Sequence, residues 1–199
     1  MQRDYDVIVV GAGHAGVEAA LACARMGKRT LLATIYLDTL ARMSCNPAIG
    51  GTAKGQVVRE VDTLGGEMAR CIDKTGIHFK MLNRSKGPAV HSPRAQADRF
   101  AYQQEMRRVC ENQANLTLKQ VMVEELLVED GAITGVRTSL DSVISAHAAI
   151  VCSGTFLGGL LHFGMRSVEG GRAGEIAATA LTQSYLRLGF DVGRMKTGT

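Results

Sequence analysis

The chain has 199 residues, of which 46% are hydrophobic and 21% charged, with a net charge of +4. These values are ordinary for a globular protein with a core of its own, and the mild basicity permits an anionic partner without requiring one. No apolar stretch approaches the roughly 18 residues that cross a bilayer, and the acidic first six residues are unlike a signal peptide, so a cytoplasmic protein with no membrane association is expected.

The first element is legible in Asp6-Val-Ile-Val-Val-Gly-Ala-Gly-His-Ala-Gly16. Val7 to Val10 form an apolar run without alternation, as in a parallel strand covered on both faces. Three glycines at GxGxxG spacing follow and lead into a helix. Gly11 permits a tight turn, Gly13 lets a pyrophosphate approach the backbone, and Gly16 allows close packing of helix on strand. Ala12, His14 and Ala15 complete this candidate cofactor loop, whose helix amides and dipole favour phosphate. Ala20, Ala24 and Gly27 carry the helix to its end, and residues 29–34 supply the second strand. The acid expected after that strand to hold a ribose is absent. Asp38 is the nearest carboxylate, and Thr34 offers a weaker neutral partner.

Residues 43–55 form a glycine-rich loop that feeds a helix with Val57, Val58, Val61 and Leu64 at helical spacing. Either the loop is a second anion site next to Lys54, or it is a connector. Residues 74–99 are rich in Lys and Arg, and two prolines keep much of the stretch irregular; it faces phosphates or is a solvated surface. A helix is expected from Arg94 to Gln113, burying Phe100, Met106, Val109 and Cys110. A β-meander over about 117–146 comes next, with its turn at Glu129-Asp-Gly131. The apolar strand from Ala148 then closes in a second glycine turn at Gly154. A final helix spans 175–188. The five cysteines, at 23, 45, 71, 110 and 152, show neither disulfide nor zinc spacing, so no metal site is expected and most should be packed thiols.

In this order the blocks resemble the GidA/MnmG family, flavoenzymes that modify the wobble uridine of certain tRNAs. The resemblance rests on Gly11-Ala-Gly-His-Ala-Gly16, Ser44-Cys-Asn-Pro-Ala-Ile-Gly-Gly51, Lys54-Gly55, Ser85-Lys-Gly-Pro-Ala89, Arg94-Ala-Gln-Ala-Asp98, Ser153-Gly-Thr-Phe-Leu157, Gly170-Gly-Arg-Ala-Gly174 and Arg194-Met-Lys-Thr-Gly-Thr199. It implies a Rossmann-like α/β FAD-binding domain of the two-dinucleotide flavoprotein type with an inserted β-meander, here as a truncated, amino-terminal portion. It also implies FAD as cofactor, NADH as reductant, tRNA as substrate, an MnmE-type GTPase partner and a homodimer.

Residues 11–16 and Gly154 would then hold FAD, Val123 would meet its adenine end by its backbone, and a further contact would fall near Ala178. The family cysteine proposed to act in catalysis falls on Cys45. Its loop suits a lowered thiol pKa, with Lys54 as support for a thiolate or flavin; on the residues alone, a packed thiol is the alternative. Two other readings are a different two-dinucleotide FAD oxidoreductase acting on a small molecule, and a nucleic-acid-binding module without chemistry.

Overall fold

The computed structural model describes residues 3–44 and 46–196. β1 (Tyr5–Val10) runs into α1 (His14–Arg25), which returns to β2 (Thr30–Thr34). β1 and β2 pair in parallel, with Val7 opposite Thr30 and Val10 opposite Ala33. The β1 run lacks alternation because both its faces are covered. Val9 joins α1 in one core, whereas Ile8 and Val10 face a second core on the other side of the sheet.

The chain then leaves the sheet for a smaller unit made of β3 (Ala48–Gly50), α2 (Lys54–Thr63), α3 (Met68–Thr75), β4 (Gly76–Leu82) and β5 (Ser92–Ala97). These three strands form an antiparallel sheet in the order β3-β5-β4. The basic 74–99 stretch, expected to be largely irregular, is therefore mostly ordered by pairing across β4 and β5. The loop glycines also serve packing. A Cβ on Gly50 would fall 2.2 Å from the Pro93 carbonyl oxygen, and one on Gly55 would fall 2.5 Å from that same oxygen. On α2, Val58 packs against the first core, whereas Val57 and the C-cap Leu64 are exposed, so only part of the apolar spacing faces inward. Glu18 links the two units, because its carboxylate accepts from the Glu67 and Met68 amides at the uncapped start of α3.

α4 (Arg99–Asn112) begins after the expected Arg94, because residues 92–97 are committed to β5 and Asp98 caps the helix. Its Oδ1 accepts from the Phe100 and Ala101 amides, each at 3.0 Å. Tyr102, Met106 and Cys110 form the buried face; Phe100, expected inside, is exposed at the first turn.

β6 (Leu116–Gln120) pairs in parallel with β2 at one edge of the main sheet. It is thus separate from the meander, which is β7 (Val123–Glu129), β8 (Ala132–Thr138) and β9 (Val143–Val151). The strand expected near 142–146 and the apolar strand from Ala148 are a single β9. Its first residues pair antiparallel with β8, and its last pair in parallel with β1. The complete sheet order is β6-β2-β1-β9-β8-β7. The hairpin β10 (Leu160–Phe163) and β11 (Arg166–Glu169) has no counterpart in the sequence reading. α5 (Thr179–Arg187) covers the meander, with Leu181 buried in the second core, and starts later than expected.

The closest helix–strand approach involves Gly16, where a Cβ would lie 1.7 Å from the Gly11 carbonyl oxygen and 3.4 Å from Cys152 Cβ. Gly16→Ala is expected to destabilise the fold by about 1–3 kcal/mol through overpacking, read as a lower urea midpoint at unchanged m-value; an unchanged midpoint would show that α1 can slide.

Candidate functional site

The carboxyl ends of β1, β2 and β9 converge on a cleft of about 240 Å³, the position where open α/β sheets bind ligands. Gly11, Ala12, Gly13 and His14 line it from the β1–α1 turn, Val123 from the start of β7, Gly154 from the turn after β9, and Ala178 from the entrance to α5. Gly16 lies buried beneath this lining and Ala15 is exposed beside it, so neither is among the lining residues.

The turn is built for close approach. Gly11 has φ +102°, and a Cβ there would sit 2.4 Å from the Cys152 carbonyl oxygen. Gly13 is different: its backbone is extended and a Cβ would meet nothing within 4 Å. The space in front of Gly13 is open cleft. No side chain caps the first turn of α1, so its amides remain available to an acceptor in the cleft.

Thr34 reaches the cleft, whereas Asp38 turns away to pair with Arg107 at 3.1 Å. Sequence reasoning did not single out Tyr36, Arg42, Cys152, Phe156 or Arg172 as lining residues. Cys152 could have been found from its place at the end of β9, but Arg172 could not, because it is delivered by the β10–β11 hairpin. The Arg172 guanidinium donates to Ser44 Oγ at 3.1 Å, pairs with Glu175 at 3.0 Å, and lies 5.6 Å from the centre of the Phe156 ring. Arg42 shares Glu175 at 3.5 Å, leaving the pair with one excess positive charge at the cleft wall.

Cys45 lies outside the described residues, next to the lining residue Ser44. Lys54 is exposed at the first turn of α2 and is not part of the cleft. Burial raises the pKa of the four cysteines the structure describes, and moves Cys71 and Cys110 up to about 12. Among the described residues no group of His, Cys, Asp and Glu could hold a metal. Nor is any helix among them long and apolar enough to cross a membrane.

A family model described as glucose inhibited division protein A matches residues 6–199. The chain belongs to the GidA family. It is 58% identical over 198 residues to the tRNA uridine 5-carboxymethylaminomethyl modification enzyme MnmG of Thermodesulfovibrio yellowstonii, covering 100% of this chain and 32% of that protein. The crystal structure of Aquifex aeolicus GidA superposes with a TM-score of 0.91 at 52% identity, over 94% of this chain and 31% of that one. The flavin-dependent brominase Bmp2 shares the fold alone, with a TM-score of 0.53 at 20% identity over 75% of this chain and 38% of its own. The chain thus spans about a third of the length of the GidA relatives it matches. These likenesses and the sheet topology establish a Rossmann-like α/β fold of the GidA kind.

Within this GidA cleft, His14 Nδ1 is buried without a partner, and its ring meets Tyr102 edge-on at 5.8 Å. Loss of hydration lowers the imidazole pKa from its ordinary 6.5. The unfolded chain therefore takes up this proton first as the pH falls. The contribution is fully present above about pH 6.5 and is lost as the pH drops toward the folded value. His14→Gln is expected to lose less stability than the parent between about pH 7.5 and 5.5, measured by urea midpoints; equal losses would contradict a desolvated neutral imidazole.

Proposed function

We propose that the intact protein is an FAD-dependent enzyme that modifies C5 of the wobble uridine of tRNA, installing an aminomethyl or carboxymethylaminomethyl group. The observation that carries the flavin half of the reading is the open, extended Gly13 at an uncapped helix start, facing a cleft at the carboxyl ends of three strands. The tRNA half draws on membership of the GidA family and on the name borne by its MnmG relatives.

The lining fits a dinucleotide. Gly11 to His14 and the first α1 amides would hold the pyrophosphate, with Gly16 packed behind them and Gly154 open on the facing turn. Val123, buried in the second core and lining the cleft, would border the adenine, and Ala178 would close the wall beside it. Thr34 stands where a ribose hydroxyl would need a partner. When bound, FAD supplies hydride chemistry, and NADH is the proposed reductant.

Cys45 is the proposed nucleophile. Burial disfavours the thiolate at each of the four described cysteines, so none of them competes for this role. Lys54, exposed at the first turn of α2, is the proposed source of positive charge for the thiolate or flavin. The family relationship further supports an MnmE-type GTPase partner, a homodimer and a cytoplasmic setting.

Two variants test these assignments in the intact protein. Gly13→Val fills open space and leaves the native contacts in place, so it should fold normally but purify with well under one FAD per chain by flavin absorbance. A parent protein that stays colourless after incubation with FAD would overturn the flavin reading. Cys45→Ser should keep its flavin and lose wobble modification in a nucleoside profile of tRNA from a complemented deletion strain. Full modification by that variant would make Cys45 structural.

A further inference from the structure

The molecule distributes its cations unevenly. Several cations around α1, α3 and α4 are paired with carboxylates: Arg25 with Glu67 at 2.5 Å, Lys74 with Glu105 at 2.7 Å, Arg107 with Glu111 at 2.7 Å and Arg108 with Glu105 at 2.8 Å. On the β3-β5-β4 sheet two cations without such partners are brought together by the strand register. Lys80 and Arg94 stand opposite each other across β4 and β5, flanked by His78 opposite Gln96, and among the described residues neither cation has an ion-pair or hydrogen-bond partner.

Register places these four side chains on one face. Directly opposed residues of an antiparallel pair point to the same side. The opposite face carries Ile49 and Ala95, a pair that is buried against the helices. On the polar face β3 contributes only Ala48 and Gly50, opposite Gln96 and Arg94, so this side of the sheet has a low floor next to its cationic rows. His78, Lys80, Leu82, Arg94 and Gln96 together line a shallow depression of about 230 Å³. Arg84 and Lys86, both exposed, follow from the end of β4.

We propose that this face is a docking surface for the phosphodiester backbone of the substrate RNA, with Lys80 and Arg94 each neutralising a phosphate. His78 and Gln96 then serve as neutral hydrogen-bonding neighbours for phosphate or ribose oxygens. The assignment rests on the tRNA reading above and adds the RNA-contacting residues to it. Charge complementarity selects the occupant: two cations without carboxylate partners, set side by side by the strand register over a low floor, suit a chain of regularly spaced anions. The placement also suits this reading, since Ser44 lines the cleft and the chain joins this sheet at Ala48, beside Gln96 and His78.

The test measures binding of purified tRNA to the intact protein at several salt concentrations, comparing the parent, Lys80→Gln/Arg94→Gln and Arg94→Lys. Losing two phosphate contacts should weaken binding roughly 30-fold near 0.1 M salt and make the log–log salt slope shallower by about 1.5. Arg94→Lys should retain most of the slope. Flavin content and far-UV circular dichroism of the double variant should match the parent. A folded, flavin-replete double variant with parental affinity and slope overturns the proposal, as does loss of flavin from it, which would assign these cations to the cofactor. A parent protein that binds no tRNA at any salt overturns instead the reading beneath.

Discussion

The rest of the structure depends on the contact made possible by two missing side chains. Gly16 lies on the Gly11 carbonyl and against Cys152, while Gly11 itself leaves no room for a Cβ beside the Cys152 carbonyl. One joint therefore fixes β1, α1 and the end of β9 together. The Cys152 amide donates to Val10 at 2.7 Å across the same joint, and the Gly11 amide donates to Ala33 at 2.8 Å, which brings in β2. With three strand ends and one helix start held so closely, the cleft is formed by backbone. Few polar side chains are then needed to make it receptive to an anion.

Around this joint the sheet divides the molecule chemically. On one side, α1, α3 and α4 bury Leu21, Cys71, Tyr102 and Met106, and ion pairs such as Arg107–Glu111 lie on the rim. Exposed pairs of this kind contribute about 0–1 kcal/mol each. By the same measure, leaving Lys80 and Arg94 without partners costs the fold little, so those positions are free to serve a ligand. On the other side, the curled meander and α5 close the second core through Val123, Val136, Ala178 and Leu181. Val123 and Ala178 belong both to this core and to the cleft lining, so cofactor shape and core packing are constrained by the same residues.

Tertiary contact also explains the thiols. Cys71 and Cys110 fill space in the first core, and Cys152 lies at the strand joint, where low hydration holds each in its neutral form. Their chemistry is packing, as their scattered spacing in the sequence suggested.

Sequence alone determined the local units whose signals are local. These are the apolar β1 run with its GxGxxG turn, the small-residue spine of α1, the return to β2, the Asp130-Gly131 turn, and the residues that mark the family. Tertiary structure alone decided which segments meet. The basic 74–99 stretch lacks a clear strand period and contains prolines, yet pairing with Ala48–Gly50 and packing over Ile49 and Ala95 make it a sheet with a cationic face. β9 reads as two strands because its two halves have different partners. Arg172 reaches the cleft only through the fold of an intervening hairpin. Period and turn chemistry act over a few residues, whereas burial, register and the meeting of charges depend on neighbours distant in the chain.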